Sequence, residues 1–269
     1  MLLSLVTVLF VAPASAAETH SVQPGKAWRY RVFANLVAVD DIVTCHDGSV
    51  YATQNLAEGD GRVVRLRAGK AETIADDLAN PRGLLVKKLF LYVTEQVNDG
   101  RVSRISLVNG ERRVIENLYN PEHLAKLPDG DIVVTENGVN GRLMRLLKNG
   151  TVEIITGGLN SPDGLAVGRD GAILISESGT GRVLEYKDGV LNVVVDDLDE
   201  PGQIDVGPDG ALWIVEQARP GRLLRLKDGA LETILNGLSD PRGIALMENG
   251  SVLIAEQGKN RILIVEPKL

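Results

Sequence analysis

Asp240-Pro241-Arg242-Gly243-Ile244, followed by Asn249-Gly250, recurs in altered spelling along most of the chain. An earlier copy is Asn80-Pro81-Arg82-Gly83-Leu84. The copies follow leucines that close apolar runs at Leu36, Leu78, Leu118, Leu159, Leu198 and Leu238, spaced by 42, 40, 41, 39 and 40 residues. A steady period of that size is the signature of a repeat architecture. Asx-Gly turns come after most of them, at Asp47-Gly48, Asp129-Gly130, Asp170-Gly171, Asp209-Gly210 and Asn249-Gly250. A second turn in each unit is Asn109-Gly110, Asn149-Gly150, Asp188-Gly189 or Asp228-Gly229. Both turn residues must tolerate positive φ, so Asx-Gly between β-branched runs marks a hairpin. Two such turns per unit give four short antiparallel strands, which is one propeller blade.

The chain ends fit a closed ring. The last unit stops after a third strand, Arg261 to Val265, while Tyr30 to Leu36 resembles the fourth strands Asn192 to Leu198 and Glu232 to Leu238. Pairing the two removes the open edges that invite aggregation. The expected fold is all-β: a six-bladed β-propeller over residues 28–269, closed by an N-terminal strand and preceded by a leading segment at 17–27. Residues 1–16 read as a secretory signal peptide, from the apolar run Leu2 to Val11, then Pro13 and the small-x-small site Ala14-Ser15-Ala16. That run is too short to cross a ~30 Å hydrocarbon core. The expectation is a secreted or periplasmic monomer without a transmembrane anchor.

Composition removes several function classes. The chain of 269 residues has 29 basic and 36 acidic side chains, a net charge of −7, which opposes binding to a nucleic-acid backbone. Two Trp, five Tyr and three Phe are too few for a base-stacking platform. Glycine is enriched, at 29 residues, as many tight turns require. The single cysteine, Cys45, excludes an internal disulfide and a cysteine zinc cage, and reads as a packed thiol. No phosphate loop, HExxH, GxSxG or CxxC is present.

A residue found in every blade does one structural job six times. Arg62, Arg101, Arg142, Arg182, Arg222 and Arg261 open the third strands. Glu95, Glu136, Glu177, Glu216 and Glu256 end the second strands, with Gln54 in the first unit, so each Glu–Arg pair is expected to tie its hairpin loop by charge-assisted hydrogen bonds. Chemistry should sit where the units differ. The two residues after each proline, or after Val39 in the first unit, which lacks the proline, should ring the axial mouth. They are Asp40-Asp41, Arg82-Gly83, Glu122-His123, Asp163-Gly164, Gly202-Gln203 and Arg242-Gly243. Four ionised carboxylates so close need a cation or raised pKa values. Oxygen ligands without thiolates suit Ca²⁺ ahead of Mg²⁺, and a single histidine in reach makes Zn²⁺ the poorer fit.

The repeat spelling, Pro-x-Gly-Ile/Leu, Asx-Gly, Val-x-Glu and then Arg-Ile/Leu/Val, resembles the NHL repeat over residues 28–269. It is similar also to the six-bladed superfamily of gluconolactonases, paraoxonases and strictosidine synthases. Asp40-Asp41-Ile42 resembles the acidic pair that binds calcium in the first blade of paraoxonases, and Asp163-Gly164-Leu165 resembles an Asn/Asp-Gly-Ile/Leu ligand element of that superfamily. Glu122-His123-Leu124 falls at another ligand position, with Glu for the usual Asn. Gly202-Gln203 departs from an acidic–amide pair, and Arg82 stands where paraoxonases carry a histidine.

The leading expectation is a metal-dependent hydrolase acting on a lactone or ester. Asp40, Asp41, Glu122 and Asp163 would hold Ca²⁺, and His123 would be the catalytic acid–base group. Arg82, Arg242 and Gln203 would bind the small-molecule substrate. The alternative is a non-catalytic NHL module whose mouth grips a glycan, peptide or envelope protein. A third reading is a lyase or isomerase that uses His123 without metal.

Overall fold

The structure, a computed structural model, describes residues 21–57, 59–67 and 69–268. The expected signal peptide lies outside the described residues. Among them no helix is long and apolar enough to cross a membrane. Six antiparallel sheets form the blades of a β-propeller, the strands of each running outward in chain order from its first strand except where N-terminal strands are added to blades five and six. The first strands are Val39–Thr44, Pro81–Lys87, Pro121–Lys126, Pro162–Val167, Pro201–Val206 and Pro241–Leu246. Each touches the first strand of the next blade, and the sixth touches that of blade one. Trp28–Asn35 pairs antiparallel with Arg261–Pro267 on the outside of blade six. Gln23 and Pro24 add a short fifth strand to blade five, opposite Asn236 and Leu235. Two residues are too few to leave a pattern, so the sequence assigned that segment no element.

The blades are held face to face by apolar side chains from both partners. Between blades one and six, Ile42, Ala52, Ala255 and Ile262 are fully buried. Trp28 meets Trp213 edge to face, ring centroids 5.5 Å apart, joining blades six and five. Each large buried side chain of this kind contributes about 1.5–3 kcal/mol.

Three devices recur and fix the mouth. First, every first strand carries a bulge against its second strand, between Val39 and Ile42, Pro81 and Leu84, Pro121 and Leu124, and at the matching places in blades four to six. The two residues after the proline lie inside that bulge, which re-aims side chains out of the ladder.

Second, the Glu–Arg clasps form. Glu95 accepts from Arg101 Nε at 2.6 Å and from the Ala79 amide at 2.9 Å. Glu177 does the same for Arg182, at 2.6 Å, and for the Asn160 amide, at 2.9 Å. In blade one Gln54 instead donates to the Val37 carbonyl at 2.7 Å.

Third, a hydroxyl in the second strand stitches each of the first four blades to the next. Thr53 Oγ1 accepts the Asp41 amide and donates to the Arg82 carbonyl. Thr94 donates to the Glu122 carbonyl, Thr135 joins the His123 amide to the Asp163 carbonyl, and Ser176 joins the Gly164 amide to the Gly202 carbonyl. Blades five and six have Val215 and Ala255 at this place and no hydroxyl.

Candidate active site at the axial mouth

The bulges bring Asp40, Asp41, Arg82, Glu122, His123, Asp163, Gln203 and Arg242 to the lining of one axial cavity. Size alternates around the ring. Gly83, Gly164 and Gly243 are glycines because a Cβ there would meet the neighbouring blade's backbone, the Cα of His123 at 2.9 Å, of Gln203 at 2.7 Å and of Asp41 at 2.7 Å. The other three blades supply Asp41, His123 and Gln203, which close the axis as a buried plug. Asp41 Oδ2 accepts the Leu84 amide at 2.7 Å, and Gln203 Oε1 accepts the Ile244 amide at 3.0 Å. Each thereby ties its own blade to the next.

His123 Nε2 lies 2.7 Å from Gln203 Nε2 and 3.3 Å from Asp41 Oδ2. With the Gln203 carbonyl committed to Ile244, its amide N–H donates toward the imidazole. Nε2 therefore accepts from Gln203 when the ring is neutral and donates to Asp41 when it is protonated. Burial alone would lower the His123 pKa, but the Asp41 carboxylate beside it, joined by the Asp163 and Asp205 charges, outweighs burial and the pKa is raised. Nδ1 is buried without a partner.

Outside this plug, carboxylates and guanidiniums interleave. Arg82 Nη1 donates to Asp40 Oδ2 at 2.8 Å, and its Nε lies 3.8 Å from Glu122 Oε1. Arg242 reaches Asp240 Oδ1 at 2.9 Å and Gln217 Oε1 at 3.1 Å. A second tier of amides holds them. Gln96 joins Arg82 to Glu122, Asn137 donates to Glu122 at 3.1 Å, and Gln257 donates to Asp40 at 3.2 Å. Gln217 reaches Asp163 Oδ2 at 3.4 Å. Burial, with the Asp163 charge added, pushes the Glu122 carboxyl up to about 8, and burial also raises Asp40 and Asp163.

The residues do not fit a calcium ion. Among the described residues no three His, Cys, Asp or Glu side chains converge closely enough to hold one cation. Arg82 reaches Asp40 and lies beside Glu122, which is where a cation shared between those carboxylates would have to sit. The excess negative charge of four carboxylates is met by two guanidiniums and by raised pKa values, the other way such a cluster is kept together.

Three groups of this site escaped the sequence reading. The amides Gln96, Asn137, Gln217 and Gln257 follow the second-strand Gln or Glu directly, and aligning that one position across blades would have found them. The stitching hydroxyls precede it. Asp205 is the third: in first strands it occupies the place of Val43, Leu85, Ala125, Ala166 and Ala245, a single carboxylate among apolar equivalents. Burial pushes it up to about 6, against hydrogen bonds from the Val206 and Leu246 amides.

No protein-family model and no curated protein matches the chain. Solved structures do. A gluconolactonase of Xanthomonas campestris superposes with a TM-score of 0.76 at 16% identity, over 91% of each chain. A streptogramin B lyase gives 0.70 at 18% identity, over 91% of this chain and all of that one. A catalytically inactive virginiamycin B lyase from Staphylococcus aureus, solved with quinupristin, gives 0.64 at 18% identity, over 90% of this chain and 100% of its own. The fold is therefore a six-bladed propeller, shared with a gluconolactonase and with lyases, and so a scaffold that carries more than one chemistry.

Proposed function

We propose that the axial mouth is the active centre of a hydrolase that opens a small anionic lactone or ester without a metal ion. The observation that carries this is a pair of groups whose environments set them to opposite tasks. His123, oriented by Asp41 and Gln203, offers a basic Nε2 when neutral, while Glu122, with its carboxyl pushed up to about 8, holds a proton at neutral pH. His123 would take a proton from the attacking water at Nε2, the water displacing the Gln203 N–H from that lone pair, Asp41 would stabilise the imidazolium, and Glu122 would protonate the departing alkoxide. The cavity beside them measures ≈ 20 Å³, room for a water but not for a substrate ring. The substrate would dock on its solvent side, its carboxylate held by Arg82 and Arg242, whose side chains are 19% and 25% exposed.

The small cavity also favours the second reading, a module that grips an anionic ligand at the two arginines and turns nothing over. A panel of lactones and esters assayed in EDTA separates them. Turnover that survives EDTA and is lost in His123→Ala supports the hydrolase. Binding lost in Arg82→Ala, with no turnover of any compound, supports the module.

A further inference from the structure

The other end of the axis carries a second site. The first strands of blades two and three finish there on Lys87 and Lys126, and the adjoining hairpins bring up Lys88 and Lys148. The four lysines line a hollow of ≈ 850 Å³, within the roughly 300–1,000 Å³ of small-molecule sites. The nearby carboxylates are fewer than the lysines and have other partners. Asp129 and Asp131 pair with Arg145 at 2.5 and 2.9 Å, and Glu248 lies 2.9 Å from His46 Nδ1. Lys87 and Lys148 donate instead to main-chain carbonyls, those of Gly130 and Asp129. These are hydrogen bonds to neutral groups, so the two carboxylates of the lining, Asp129 and Glu248, offset only part of the four positive charges. Burial draws the Lys87 ammonium below its usual pKa, and Lys148, Lys126 and Lys88 push the same way against Asp131. On a chain of net charge −7, a concavity with four ammoniums against two carboxylates is a positive island that favours an anionic ligand.

We propose that this hollow binds a phosphorylated small molecule, its phosphate seated among Lys87, Lys88, Lys126 and Lys148. Lysine serves phosphate as a mobile point charge, and a concave hollow suits a compact ligand better than a flat bilayer. The hollow meets an axial channel at Thr44, Lys126 and Leu246, and the channel ends inward at His123 and Gln203. The plug thus separates it from the mouth, and the proposal does not depend on the activity assigned there.

Calorimetric titration of the whole protein with pyrophosphate, against chloride at equal ionic strength, tests it. Saturable one-to-one binding is expected, weakened at least tenfold by Lys87→Gln and by Lys126→Gln. It should stay within twofold in His123→Ala and in Lys268→Gln, a remote lysine bonded to the Lys26 carbonyl. Should the lysine variants fail to fold, acetylation footprinting of the unaltered chain replaces them: pyrophosphate must protect Lys87 and Lys126 and leave exposed Lys187 reactive. Absence of saturable binding at matched ionic strength, equal weakening by Lys268→Gln, or capture by phosphatidylglycerol vesicles alone would overturn the proposal.

Discussion

At the scale of single residues, His123 and Glu122 are adjacent in sequence and opposite in task, because a bulge turns one inward to the plug and the other outward to the arginines. His123→Ala should lower kcat by about 10²–10⁴ if the imidazole moves the proton, read in the lactone assay. Asp41→Asn removes the charge that raises the His123 pKa, so the acid limb of the kcat/KM–pH profile should move to lower pH. Glu122 yields a stability test with a definite sign. Its folded pKa, about 8, lies above the 4.5 of the unfolded chain, so the folded state holds the extra proton between those values. The stability it contributes is complete below about pH 4.5 and is lost as pH rises through 8. Glu122→Gln mimics the protonated form, so its melting temperature should exceed the parent's at pH 8.5 and match it near pH 4.5. The mouth residues were legible because they differ between blades. Asp205 and the amide tier were not, since each shows only when one position is compared across all six units.

At the scale of the element, the hairpin clasp and the glycine alternation carry the energy. Glu177 is buried and anchors both Arg182 and a turn amide. Glu177→Ala should cost ~2–3 kcal/mol, discounted for the solvent on Arg182, whereas Glu177→Gln keeps a carbonyl acceptor and should cost ~1 kcal/mol. Urea denaturation would show both. Gly164→Ala forces a methyl to 2.7 Å from the Cα of Gln203 and the carbonyl of Gly202. That overpacking should cost ~1–3 kcal/mol and disturb the plug through Gln203. The blades were readable from Asx-Gly turns because a positive φ restricts residue choice. The bulges were hidden, since nothing in Pro-x-Gly distinguishes a regular strand end from one whose next two residues leave the ladder.

At the scale of the whole molecule, the proposed function has arginines doing a cation's work, with no metal needed in the ring. Ca²⁺ at a hundred times the Kd of a native-only site would add ~2.7 kcal/mol, and no such rise is expected here, nor any fall with EDTA. A Ca²⁺-specific rise abolished by Asp163→Asn would reverse that conclusion. The ring is also unequal around its circumference. Four junctions are stitched by second-strand hydroxyls two bonds from Cα, while the remaining two use Gln203, Gln217 on Arg242, Gln257, which reaches the Val39 carbonyl at 3.2 Å, and the Thr44 hydroxyl on the Leu246 carbonyl at 3.3 Å. Long amides have more rotamers to lose than Thr or Ser, and they hold less firmly. Those two junctions flank Arg242, so the mouth is expected to be firmer in blades one to four than at blade six. A visitor too large for the closed cavity would then enter on that side, and blade six should be the sector whose amides exchange with solvent first, which hydrogen exchange would show.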